Sequence, residues 1–220
     1  MRSVRVPERS EGESSRPHQI IITTNMALSE YHQRYAALSV VEIAKRAGVK
    51  DEELGVVFSN LPPAKASETA KVAVLGCGNK RLVAHHRMIF EKYLRRKVDL
   101  TTYDITIDHL AGTPGAIRHD CTLPLPDTGF DITYGHVLLK FIPTEKQWDL
   151  IRNSVDALRP GGLAIHVLDK IDYETTSPTL PDGMFSVPLT RWKTRLAEAG
   201  HEILELPVKY GLVLVIKRGN

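Results

Sequence analysis

The chain has 220 residues, 42% of them hydrophobic and 25% charged, with a formal net charge of +3. These values exclude a wholly disordered or collagen-like chain and suit one domain with an appendage. No apolar run approaches the ~18 residues of a membrane helix, and +3 does not by itself imply nucleic acid.

The stretch Arg2 to His18 alternates Arg with Glu and adds Ser and Pro, so residues 1–25 read as a poorly ordered tail. The tail lacks the apolar core of a signal peptide. Ile20–Ile22 is a short apolar triplet that suits a lone strand, and Met26 is an alternative start. From Ala27 to about Ala47, Leu28, Tyr31, Tyr35, Leu38, Val41 and Ile43 fall at helical spacings. Gly48 is expected to stop that helix, and Asp51 to cap a second one running to about Phe58. Asn60, Pro62 and Pro63 close this region, and Ala64–Thr69 reads as a linker. Residues 26–70 thus form a helical cap and linker. Glu42 to Val49 resembles a helix-turn-helix of the LacI repressor type. The helix meant for the groove would open on Lys50-Asp51-Glu52-Glu53, whose three carboxylates repel phosphates, so a packed cap is the better reading.

Residues 71–220 alternate strands and helices. Strands are expected at Lys71–Leu75, Val98–Tyr103, Ala116–His119, Phe130–Tyr134 and Leu163–Leu168. Helices are expected over 80–96, Glu145–Leu158 and Thr190–Ala199, the second stopped by Arg159-Pro160-Gly161-Gly162 and the third by Gly200. Glu202–Val208 and Leu212–Lys217 form a closing strand pair about Tyr210-Gly211. The pattern predicts an α/β fold with a parallel sheet, helices over it and an antiparallel ending.

The residues with chemical potential lie at strand ends. Val74-Leu75-Gly76-Cys77-Gly78 joins a strand to a helix. Its glycines admit positive φ and close approach of a ligand, and the helix start favours an anion. The dinucleotide fingerprint needs a third Gly where this chain has Arg81, which argues against NAD or FAD. Tyr103-Asp104 ends the second strand, where a carboxylate can accept from both ribose hydroxyls of a nucleoside. His119-Asp120-Cys121 follows the third strand, and Asp120 can accept from an adenine amino group. Phe130-Asp131-Ile132-Thr133-Tyr134-Gly135-His136 and Leu158-Arg159-Pro160-Gly161-Gly162 complete the series.

In this order and spacing the five strings resemble the class I S-adenosylmethionine-dependent methyltransferases, over residues 71–220. The resemblance implies a Rossmann-like, seven-stranded, mostly parallel sheet with its last strand antiparallel and helices on both faces. It implies S-adenosylmethionine as cofactor, with Leu75, Gly76, Cys77 and Gly78 near its methionine part. Asp104 is then expected at the ribose, Ile105 against the adenine, and Asp120 and Cys121 at the adenine edge. Tyr134, Gly135 and His136 are expected near the transferred methyl group, with His136 as the candidate base. One departure is Lys80, where the family often has another Gly. A catalytically silent cofactor-binding or partner subunit is therefore the alternative reading. No Asn/Asp-Pro-Pro-aromatic string follows the fourth strand, which disfavours an exocyclic base amine as acceptor. Asp169 and Tyr173 are weaker candidates for acceptor contact, and the Asp172–Pro188 stretch is long enough to lid the acceptor site.

The acceptor is expected to be a small molecule or RNA. The RNA alternative rests on residues 80–97, where seven basic side chains face Glu91 alone. The other reading of that helix is a solvated face, with Arg95, Arg96 and Lys97 near its negative end. His85 and His86 point to different helix faces, and no metal-ligand spacing is present. Two cysteines, Cys77 and Cys121, build no disulfide framework, so a reducing, cytoplasmic setting is expected.

Overall fold

The computed structural model describes residues 30–61, 67–170 and 184–219. The tail over 1–25, Met26, Pro62, Pro63, Tyr173 and most of the Asp172–Pro188 connection lie outside the described residues. Five helices are described: α1 (Glu30–Ala36), α2 (Val40–Asn60), α3 (Lys80–Leu94), α4 (Thr144–Asp156) and α5 (Leu189–Glu198). The strands are β1 (Thr69–Leu75), β2 (Lys97–Asp104), β3 (Ala116–Arg118), β4 (Phe130–His136), β5 (Leu158–Asp169), β6 (Glu202–Val208) and β7 (Gly211–Lys217). They form one seven-stranded sheet in the order β3-β2-β1-β4-β5-β7-β6. The first five are mutually parallel where they pair. β7 is antiparallel to both β5 and β6, as the expected ending required.

Side-chain alternation along the strands divides the core in two. Val72 and Val74 of β1 face the α2–α3 side, packing with Leu54, Val57, Leu82 and Phe90. Ala73 and Leu75 face the other side, with Leu150, Ile151 and Val155 of α4 and Trp192 and Leu196 of α5. Burial on both faces explains why Val72 to Leu75 of β1 and Leu212 to Ile216 of β7 read as continuous apolar runs.

The helical cap differs from expectation. Gly48 does not stop a helix, and Asp51 does not start one; α2 runs unbroken through both. The break lies earlier, at Ala37 to Ser39. Ser39 is a true N-cap: its side chain accepts from the Glu42 N–H, and the Glu42 carboxylate accepts from the Ser39 N–H at 2.9 Å. A glycine inside a helix costs only ~1 kcal/mol. Burial of Ile43, Leu54, Val57 and Phe58 outweighs that cost. There is accordingly no turn between two helices at this place.

The Pro-Gly turn after α4 is also displaced. Leu158 to Gly162 belongs to β5, whose register against β4 shifts between Phe130 and Ile132. Arg159 of this string serves the fold. Its Nε donates to Asp131 of β4 at 2.8 Å, and Arg96 donates to the same oxygen at 3.0 Å. The other Asp131 oxygen accepts from the Lys71 N–H. One buried carboxylate thereby joins β1, β4, β5 and the entry to β2.

The basic helix is partly consumed by the fold in the same way. Arg96 is buried, Lys92 pairs with Asp51 of α2 at 2.7 Å, and Arg81 donates to the Leu38 carbonyl. Among the described residues no helix is long and apolar enough to cross a membrane.

Two stability changes are expected. A Cβ at Gly48 meets nothing within 4 Å, so Gly48→Ala should raise unfolding free energy by ~1 kcal/mol in urea melts. Asp131→Ala leaves Arg96 buried without its partner and should cost ~3 kcal/mol in the same assay.

Candidate functional site

The strand order reverses between β1 and β4, because β1 is followed on one side by β2 and on the other by β4. At such a switch point the loops leaving the two strands diverge and open a crevice. A cavity of 760 Å³ lies there. It falls within the ~300–1,000 Å³ of small-molecule sites.

The loop after β1 forms its floor. Gly76 sits at φ +72°, and a Cβ there would come within 2.9 Å of Leu138. Gly78 packs under Tyr35 of α1, where a Cβ would meet the ring at 2.6 Å. The loop is tied to β2 by two bonds: Gly76 N–H to the Tyr103 carbonyl at 2.7 Å, and Cys77 N–H to Asp104 Oδ2 at 2.8 Å. Asn79 caps α3 through Arg81 N–H and donates to the Tyr35 and Ala36 carbonyls, holding α1 over the loop. Lys80, the departure from the family glycine, is exposed and does not line the cavity.

β2 supplies the next wall. Asp104 is 7% exposed and lines the cavity with Ile105 and Thr106. Its second oxygen accepts from the Thr106 N–H. The carboxylate has about four acceptor positions, so two backbone donors leave room for a ligand's hydroxyls. The Thr106 hydroxyl is buried and has no hydrogen-bond partner among the described residues. His109 lies 3.7 Å from Asp104 and bonds the Cys77 carbonyl, and the carboxylate raises its pKa above the ordinary value. His109 is a supporting residue that no sequence motif marks. Asp120 and Cys121 also reach the cavity, with Asp120 accepting from Thr122 N–H and hydroxyl. Burial pushes the Cys77 thiol up to about 11 and Cys121 up to about 12, so neither is a thiolate nucleophile at neutral pH.

Three predicted residues lie behind the wall rather than on it: Leu75, Tyr134 and Gly135 do not line the cavity. Leu75 is in the α4–α5 core. Tyr134 points into the opposite core, edge-on to His86 and Phe90 at 5.6 Å each. Gly135 abuts His166, whose Nδ1 a Cβ would approach to 3.1 Å. His136, at the very end of β4, does emerge into the cavity.

The opposite rim comes from α2, where no site residue was expected. Lys50 and Glu53 are 3% and 5% exposed, and both line the cavity. Glu53 Oε2 lies 3.0 Å from His136 Nε2. Burial raises Glu53 to about 7, against the pull of Lys50. Burial and the Lys50 ammonium hold His136 well below its ordinary value. Near neutrality His136 is therefore the neutral member of the pair, and Glu53 is the one poised to exchange a proton. Asp169, which also lines the cavity, accepts from Lys140 of the stretch after β4 at 2.6 Å. The signal for Lys50 and Glu53 was hidden in a charged run that looks solvated.

Burial lowers Lys50 from 10.5 to about 7. The folded state then binds fewer protons than the unfolded state between those values, and stability rises with pH across that window. The cost of the buried ammonium is full below pH 7 and gone above 10.5. Lys50→Met should therefore stabilise the chain most at or below neutrality, with the gain shrinking toward the upper limit in urea melts across pH.

No family model and no curated protein matches the chain. Solved structures do. An O-methyltransferase family protein from Burkholderia thailandensis matches with TM-score 0.57 and 13% identity over 86% of this chain, which spans 59% of that neighbour's length. A sugar N-methyltransferase from a Streptoalloteichus species matches with TM-score 0.60 and 15% identity, over 97% of this chain and 100% of the neighbour. An amino pentose methyltransferase from Micromonospora echinaspora, solved with S-adenosylmethionine, matches with TM-score 0.57 and 14% identity, over 82% and 97%. Strand order, antiparallel ending and neighbours agree: the chain has the Rossmann-like fold of the class I S-adenosylmethionine-dependent methyltransferases.

Proposed function

We propose that the chain is an S-adenosylmethionine-dependent methyltransferase acting on a small molecule. The observation that carries this is Asp104. Its carboxylate stands at the end of β2, beside the Gly76–Gly78 loop, with acceptor capacity left over in a cavity at the switch point. The residues present fit the cofactor. Gly76 and Gly78 take the methionine part, Asp104 accepts from the ribose hydroxyls, and the Thr106 hydroxyl, unpartnered among the described residues, is a further donor. Ile105, exposed on the wall, lies against the adenine, with Asp120 and Cys121 at its edge. Leu75, Tyr134 and Gly135 carry that wall from behind. The bound cofactor supplies a methyl group on a sulfonium, ready for in-line displacement.

The chain's own contribution is placement and proton handling. Transfer to a protonated acceptor releases one proton, and the His136–Glu53 pair is positioned to take it. A small acceptor is favoured by the lining, in which α2 and Tyr35 join the strand-end loops around the cavity. An RNA acceptor would depend on Lys80, Arg87, Arg95 and Lys97, the exposed cations of the α3 region whose side chains make no hydrogen bond or ion pair among the described residues. Sugar and amino pentose methylation among the structural neighbours supports the small-molecule reading. The two free, buried thiols support a reducing compartment, the cytoplasm.

Calorimetry with S-adenosylmethionine and S-adenosylhomocysteine tests the proposal. Both should bind, and Asp104→Ala should weaken each by about a hundredfold, the loss of two charge-assisted hydrogen bonds. Absence of binding at millimolar ligand overturns the proposal. Undiminished affinity in Asp104→Ala overturns the ribose assignment alone. Binding without turnover on any acceptor would favour the silent-subunit alternative.

A further inference from the structure

His86 departs from the rule that buried polar atoms find partners. It stands on α3, is 2% exposed and lines the cavity. Among the described residues, neither its Nδ1 nor its Nε2 has a hydrogen-bond partner. Burial holds its pKa well below the ordinary value, so the ring is neutral at physiological pH. A neutral imidazole carries one N–H donor and one lone pair. Leaving both unanswered away from water is costly, which favours a polar ligand group at this place.

Its position separates His86 from the residues assigned to the cofactor. Those come from the loop after β1 and from the ends of β2 and β3. Strand alternation puts Tyr134 and His136 of β4 on one face of the sheet. The His86 ring meets Tyr134 edge-on at 5.6 Å, and the His136 ring lies 6.2 Å from the same Tyr134. Both imidazoles thus rest on one aromatic ring, and one small molecule can address both. The neighbouring charges balance. Lys50 and Glu53 attract each other, and neither His86 nor His136 is charged at neutrality. A charged ligand group would be desolvated there without an uncommitted counter-charge, whereas a hydroxyl brings no charge. A hydroxyl also both donates and accepts, so it answers whichever nitrogen faces it.

Resting on the methyltransferase reading, we propose that His86 binds a hydroxyl of the acceptor, which is a compact, uncharged, polyol-like molecule. The atom to be methylated lies at the Glu53–His136 pair, beside the second imidazole on the Tyr134 ring. His86 selects and orients the acceptor, and Glu53 exchanges the proton. A carboxylate or an ammonium at the His86 position is disfavoured, because the first only accepts, the second only donates, and each brings a charge.

The test uses the full chain saturated with S-adenosylhomocysteine, so that the cofactor's place is filled before any probe is added. The neutral polyol myo-inositol, acetate and methylammonium are titrated separately at constant ionic strength just above neutrality. The His86 and His136 imidazole resonances are read by NMR, and the series is repeated on the free chain. Saturable shifts are expected for myo-inositol in both forms, and none for the two ions. His86→Leu, read at His136, should weaken myo-inositol binding about tenfold or more, the loss of one buried hydrogen bond, and leave S-adenosylhomocysteine affinity unchanged. His86→Gln, which keeps a donor and an acceptor, should recover binding relative to His86→Leu. If His86→Leu does not fold, the wild-type titration decides, since it reads His86 directly. No saturable shift with myo-inositol, an equal response to acetate, or undiminished binding in His86→Leu overturns the proposal. Shifts confined to the free chain place myo-inositol in the cofactor's ribose site and also overturn it. If S-adenosylhomocysteine does not bind the wild type, the cofactor reading fails, and the free-chain titration with His86→Leu judges the His86 site on its own.

Discussion

The site depends first on β1 being hydrogen-bonded to β2 on one side and to β4 on the other. A chain that winds outward from β1 in both directions must separate the loops leaving β1 and β4. Gly76, Asp104 and His136 belong to three different strands or their ends, and this winding alone brings them to one cavity. The buried Asp131 cluster then fixes the opposite, entry end of the same strands. Chemistry at one end of the sheet and ion pairing at the other are two products of one hydrogen-bonding order.

What could be read from the chain follows from where each signal resides. β1 and β7 are buried on both faces, so their apolar runs are local and visible. The Gly76–Gly78 string and Asp104 are visible because a tight turn and a strand-end carboxylate constrain residue type at fixed spacing. The course of α2 was not legible from Gly48 or Asp51, because burial over several turns overrides one glycine. Ser39 and Glu42 do spell the cap, but only after the competing stop signal is discounted. Leu75, Tyr134 and Gly135 belong to the right strand ends, yet alternation turns the Leu75 and Tyr134 side chains into the two cores, and Gly135 abuts His166.

Lys50 and Glu53 show the harder limit. Within Lys50-Asp51-Glu52-Glu53, two charges are buried at the cavity, Asp51 pairs with Lys92, and Glu52 is exposed. Helical geometry sorts them by angle, but which angle faces the cavity depends on packing against α3 and the far edge of the sheet. The same applies to Arg96: seven cations in a short segment look alike until the side chain of one of them is found buried against Asp131 of β4. A charge's function here is set by direction, which composition does not contain.

Gly78 carries a broader consequence. Its missing side chain is occupied by the Tyr35 ring, so the chain needs that glycine to seat its own α1. Two demands converge on one position: room for a ligand, and room for a piece of the same polypeptide. A descendant that had stopped binding anything would still collide with itself on replacing Gly78. The glycine string therefore records a fold that closes over its own loop as firmly as it records a cofactor, and the separable evidence for the cofactor sits at Asp104.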